Sequence, residues 1–226
     1  MRFDDYRRKM LSIDGNGRIG SMTWTEGWIP RSDMRVQRRR RVLATIIAMT
    51  FFFSNSSMTR AAEMAGVSMS DSSSIEGTQL VLNGIGLRTY SILGVHIYVA
   101  GLYLQTPSHD ANEILRSSER KMLQIHFLHD VDVSDARNAW RTGLLENCAS
   151  PCKLSPDTVA RFLAALQPIH SGEDVTLLFG HDGLTAFDDG HLIGRVPDLV
   201  FSEAMLASFI GLHPATTRLK QELLGF

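Results

Sequence analysis

The sequence predicts a single α+β domain, an antiparallel sheet with helices gathered on one face, and three observations carry that expectation. Strand-forming runs recur with hairpin turn residues between them, as where Asp189-Gly190 separates LTAFD from HLIGRV. Helical patterns with capping residues in front of them are interspersed among these runs. After Thr78 there is no internal repeat and no linker-like stretch, so the elements belong to one unit. With 44% hydrophobic and 21% charged residues, the 226-residue chain has the composition of a globular protein.

Residues 1–33 scatter Gly, Arg and Asp without apolar periodicity and read as a mis-assigned start or a disordered extension. Met34 then opens a leader, with a basic stretch from Arg35 to Arg41, an apolar run from Val42 to Phe53 and small polar residues after it. That run has 12 residues, short of the roughly 18 to 20 that cross a bilayer. Residues 34–61 are therefore expected to be a signal peptide for export to the periplasm rather than a permanent span. Arg39-Arg40-Arg41-Val42-Leu43 also allows twin-arginine export.

The first 60 residues hold 12 of the 23 Lys and Arg and 5 of the 24 Asp and Glu. The remainder has 11 basic and 19 acidic residues, a net charge of -8, with no basic stripe. Such a surface argues against nucleic acid and anionic membranes as partners.

Residues 62–77, rich in Ser, Met and Gly, read as a flexible lead-in to a domain spanning 78–226. TQLVLN and GLRTYSI are expected as two strands and VHIYVAGLYL as a third, with Leu93-Gly94-Val95 as the turn between the last two. A three-residue turn sets Arg88 opposite Ala100 and diagonal to Tyr98. Asp110 caps a short helix, ANEILRS, and RKMLQIHFL returns as a strand. SDARNAWRTGLLENC is a helix whose inner line is Ala136, Ala139, Trp140, Gly143 and Leu144, with Asn147 continuing it. Ser155-Pro156-Asp157 starts a helix that buries Val159, Phe162, Leu163 and Leu166. DVTLLFG, LTAFD and HLIGRV are three strands, and Pro197 to Gly211 is a helix with Leu199, Met205, Leu206 and Phe209 inward. His213-Pro214 breaks it before a last helix.

Arg88 stands out because it lies inside an apolar, strand-forming run. A buried guanidinium is always charged, so it needs either a structural partner or an anionic ligand. Asn147 shares a helix face with Trp140, and an amide on a packing face needs a partner. Cys148 and Cys152 are spaced for a local bridge or for two half-buried thiols, and lack the pattern of a haem or zinc site. No nucleophile with an adjacent base, phosphate loop or carboxylate pair stands out, so hydrolase and kinase chemistry fall away. No metal and no cofactor are expected.

The runs NGIGLRTYSILGVHIYVAGLYL (83–104), LLENC (144–148), DVTLLF (174–179) and LASFIGLHPATTRLKQELLG (206–225) together resemble the chalcone-isomerase-like family, in a bacterial exported form. The resemblance implies an open-faced sandwich, a large antiparallel sheet covered on one face by helices. In catalytic members an arginine holds the substrate's oxygen anions during intramolecular addition to an enone. Arg88 matches that arginine, Asn147 a helical asparagine, and Ser208 conservatively replaces a threonine. The enzyme pattern fails at Tyr98, where a small hydroxyl residue is expected, and at Trp140, where a tyrosine is expected.

Non-catalytic relatives clamp a fatty-acid carboxylate between the arginine and a tyrosine on the next strand, which Arg88 with Tyr98 resembles. The favoured expectation is thus an exported domain that binds a small amphipathic carboxylate through Arg88 and Tyr98, with Trp140 and Asn147 in the same site. An isomerase of the chalcone-flavanone type using Arg88, Asn147 and Ser208, and a ligand-free envelope accessory protein, are the alternatives.

Overall fold

The computed structural model describes residues 61–90 and 94–226. The expected extension over 1–33, the signal peptide except for Ala61, the last two residues of the expected strand GLRTYSI and Leu93 of the expected turn lie outside the described residues.

Among the described residues nine strands and five helices follow one another. The strands are β1 (Ala61–Met64), β2 (Val67–Ser70), β3 (Ser72–Ile75), β4 (Thr78–Tyr90), β5 (Val95–Leu104), β6 (Lys121–Phe127), β7 (Asp174–Gly180), β8 (Gly183–Asp188) and β9 (His191–Val196). The helices are α1 (Ala111–Arg116), between β5 and β6; α2 (Val133–Glu146) and α3 (Pro156–Ala165), between β6 and β7; and α4 (Leu199–Ile210) and α5 (Thr217–Leu223) at the end. β3 through β9 form one seven-stranded antiparallel sheet in chain order, and β1 pairs with β2 apart from it.

The segment expected as a flexible lead-in, residues 62–77, is instead three short strands. Ala65-Gly66 and Glu76-Gly77 have positive φ at both residues, the conformation of two-residue hairpin turns that match strand twist. Asp189-Gly190 does the same between β8 and β9. Met69 is the anchor of the first hairpin, buried with Leu87 and Val99 on the sheet's outer face. A Cβ at Gly101 would meet the Met69 sulfur at 2.5 Å, so the absent side chain is what admits it.

The two strands expected over 78–92 are one 13-residue strand, β4, with an extra residue at Asn83. Its glycines read as breaks in the sequence, but they serve a contact. A Cβ on Gly84 would lie 2.2 Å from the Glu222 carbonyl oxygen, and one on Gly86 would lie 2.9 Å from a Leu219 methyl, so α5 rests directly on the strand. The Glu222 carboxylate also accepts from the Leu87 N–H at 2.8 Å.

Alternation along β5 to β8 puts Leu102, Leu123, Leu177 and Ala186 on the helix-covered face, all fully buried. α4 lies in this layer with Phe201, Ala204, Met205, Leu206 and Ile210 buried. Its first residue corrects the expectation: Leu199 is 58% exposed, because the helix has not yet entered the core. Ala139 of α2 is likewise exposed. Caps set the helix starts, with Asp110, Ser155, Asp198 and Thr216 each accepting from first-turn amides. Among the described residues no helix is long and apolar enough to cross a membrane.

Candidate functional site

Arg88 and Tyr98 are direct cross-strand partners. The register differs from the expected one, in which Arg88 faced Ala100. Tyr90 pairs with Val95, which leaves four residues between the strands, and an extra residue in β5 next to Tyr98 then restores parity. Ala100 faces Gly86 instead. Tyr98 packs on the helix-side core, with its ring edge-on to Phe127 at a centroid distance of 5.4 Å. Arg88, paired with Tyr98, extends the line begun by Gly84 and Gly86 beneath α5.

The guanidinium of Arg88 is half-buried and its Nη1 donates to the Thr89 carbonyl at 2.9 Å. The ion pairs among the described residues are Arg120 with Glu76, His126 with Asp174, and Arg218 with Glu222. Arg88 is in none of them. Burial pushes the Tyr98 phenol well above its ordinary pKa, and the nearby Arg88 charge opposes this more weakly. The phenol therefore stays protonated through the physiological range and acts as a hydrogen-bond donor.

The other expected site residues form a second group, on the helices. Asn147 is the C-cap of α2. Its Nδ2 donates to Gly143 O at 3.0 Å and His213 O at 2.7 Å, while its Oδ1 accepts from His213 N at 3.0 Å. Both amide hydrogens are thus held within the protein, tying α2 to the loop after α4. The Ser208 hydroxyl donates to Met205 O at 2.6 Å, and its Cβ lies where a side chain at Gly143 would go. Trp140 stacks on Phe162 of α3 at 5.3 Å and 15°. No hydrogen bond or aromatic contact among the described residues joins this group to Arg88 and Tyr98.

Cys148 and Cys152 form a disulfide across a turn, with Cα atoms 5.3 Å apart. Described residues line cavities on both faces of the sheet. One, of about 270 Å³, lies between the β1–β2 hairpin and the outer face at His126 and Asp174. The other, of about 120 Å³, contains Lys121, which is 6% exposed. The sequence reading passes over Lys121, yet its alternation with Leu123, Ile125 and Phe127 is a signal that it points inward.

The profile of the chalcone isomerase-like family matches residues 61–225. No curated protein matches the chain. Among solved structures, a fatty-acid binding protein of Arabidopsis thaliana superposes with a TM-score of 0.61 at 15% identity, covering 73% of this chain and 96% of the plant protein.

Proposed function

Because this chain belongs to the chalcone isomerase-like family, we propose that it is a binding domain for a fatty acid or similar amphipathic carboxylate, held by Arg88 and Tyr98. The observation that carries this reading is the direct pairing of the two residues, with no carboxylate of the described chain on the guanidinium. Arg has five N–H donors, and one of Arg88's nitrogens faces Thr89. The remainder of the fork suits the two oxygens of a carboxylate, and a protonated Tyr98 adds a further donor beside it.

A charge-assisted contact of this kind contributes roughly 1.5–3 kcal/mol, and each buried methylene of a tail about 0.8 kcal/mol. Trp140 and Asn147 enter this reading as the residues that pack and tie the helix layer rather than as ligand contacts. The isomerase reading gains no specific support, since Asn147 and Ser208 direct their polar groups to backbone atoms. The plant protein of like fold is named for binding a fatty acid, which makes that class the natural first probe.

Export belongs to the same proposal. It is supported by the leader anatomy of residues 34–61 and by the Cys148–Cys152 bridge, a bond that persists in oxidising compartments. Amino-terminal sequencing of the protein from the periplasmic fraction tests it, with a start near Ala62 expected and an intact Met1 or Met34 counting against it.

For the ligand, native mass spectrometry of the purified protein is expected to show a bound acid that Arg88→Ala loses while the fold is retained. A protein that comes out empty and ignores added fatty acid would contradict the proposal and leave the accessory role.

A further inference from the structure

The opposite end of β5 and β6 from the Arg88–Tyr98 pair holds a second polar group. Tyr98 faces Phe127 at one end of this strand pair, and Leu104 faces Lys121 at the other, six residues along. That separation is about 20 Å, so the two places are independent.

Lys121 sits on the helix-covered face, in line with Leu123, Ile125 and Phe127, and is buried to 6% exposure. It lines the cavity of about 120 Å³, together with Thr106, Ser108, Glu113, Ser117 and Glu119. Its Nζ donates to Ser117 O at 2.6 Å and Glu119 O at 3.0 Å. A tetrahedral amine bonded to its own chain at one position and to two carbonyls at two more has one position left. In the free amine that position is the lone pair.

We propose that Lys121 is a reactive amine at which a small aldehyde condenses to form an iminium. The aldehyde carbon takes the nitrogen lone pair to form a C–N bond. The carbonyl oxygen then departs with two of the three hydrogens of the lysine ammonium, so that ammonium and aldehyde become iminium and water with charge and atoms balanced. The iminium keeps one N–H, enough to hold one of the two carbonyls.

The charges around Lys121 select this chemistry. Glu113 and Glu119 line the cavity and Glu203 acts on the amine from α4. Burial lowers the pKa of Lys121, against the opposing pull of Glu119 and Glu203, which raises the share of nucleophilic free base. Three carboxylates disfavour an anionic acyl donor, and acylation would remove the Lys121 charge that answers them. An iminium preserves that cation. A space of 120 Å³ corresponds to about four waters at roughly 30 Å³ each, so the aldehyde has few heavy atoms.

The test uses the intact protein, with propanal as the probe and cyanoborohydride to trap the imine at pH 7, read by peptide mass spectrometry. The chain has four lysines, Lys9, Lys121, Lys153 and Lys220, and Lys153 is exposed and serves as the reference. Lys121 is expected to be alkylated about ten-fold faster than Lys153, because its buried amine holds the larger share of free base. The advantage should vanish in urea, and with naphthaldehyde, which is too large for the cavity. Labelling of Lys121 no faster than Lys153 overturns the proposal. So does an advantage that survives unfolding or the bulky aldehyde, since its cause would then lie outside the cavity.

Discussion

Replacing Gly84 by alanine adds one methyl group, and the structure makes it a severe change. The new Cβ would lie 2.2 Å from Glu222 O, 2.6 Å from Leu223 O and 2.7 Å from the Leu223 carbonyl carbon. These are backbone atoms, so no rotamer relieves the clash and α5 must retreat by roughly 1 Å or more to regain ordinary contact. That movement strains the Asn83 Nδ2 bond to Leu223 O at 3.0 Å and the Leu87 bond to the Glu222 carboxylate at 2.8 Å. It also loosens Leu219 and Leu223, both fully buried.

Overpacking of this kind costs about 1–3 kcal/mol and each weakened bond about 1 kcal/mol, so a loss of roughly 3 kcal/mol is expected. For a domain of this size that lowers the melting temperature by about 6–12 °C. Gly194→Ala is the control, since nothing lies within 4 Å of its Cβ position. It is expected to be neutral or to stabilise by a few tenths of a kcal/mol through the unfolded chain. Urea unfolding followed by circular dichroism compares the two. Equal midpoints would refute the close seat of α5 on β4, and with it the placement of Arg88 at the end of that contact.

Three other predictions rest on single residues. Tyr98→Phe removes the donor beside Arg88 but keeps the ring on Phe127, so fatty-acid affinity should fall by about three- to ten-fold with stability unchanged; an unaltered dissociation constant excludes the phenol from the site. Asp188 has a buried Oδ1 without a hydrogen-bond partner among the described residues, and burial first, then Glu173 and Asp189, raises its pKa against the weaker pull of His191 and His170. The folded state therefore holds this proton more tightly than the unfolded chain, whose value is about 3.9, and stability is lost as pH rises through the raised folded value. Asp188→Asn should raise the urea midpoint at pH 8 more than at pH 4; a lower midpoint at pH 8 would show that the carboxylate has a stabilising partner. Replacing both Cys148 and Cys152 by Ser opens a bridge between residues four apart. Loop closure over so short a span predicts a loss of about 2 kcal/mol, and no loss under oxidising conditions would mean the bridge does not form.

Much of the architecture was legible because burial leaves a period in the sequence. The alternation in KMLQIHF and DVTLLFG and the inner line of α3 at Val159, Phe162 and Leu163 were readable without a structure. Features set by long-range contacts were harder to read. Gly84 and Gly86 look like strand breaks until α5, more than 130 residues later, is seen lying on them. The Val67–Ser70 alternation is only four residues long and is diluted by serines, and Ala65-Gly66 is a weaker turn signal than Asn-Gly, so in sequence the first hairpin reads as a loop.

Arg88 stands out in the sequence as a charge in an apolar run and Tyr98 through the family resemblance, but their register depends on a bulge that no local pattern announces. Asn147 reads from the sequence as continuing the inner line of α2, and in the structure it is that helix's C-cap. Its engagement with His213 was not readable, because an amide that ties a loop and an amide that holds a ligand look alike in sequence.

The central claim is that the Arg88 guanidinium reads a carboxylate. Isothermal titration of a long-chain fatty acid and the alcohol of equal length measures it most directly, since the two share a tail. The account predicts that the wild-type protein prefers the acid by about ten- to one-hundred-fold and that Arg88→Leu abolishes the preference without unfolding the domain. Equal binding of acid and alcohol by the wild type, or a preference that survives the loss of Arg88, would contradict it.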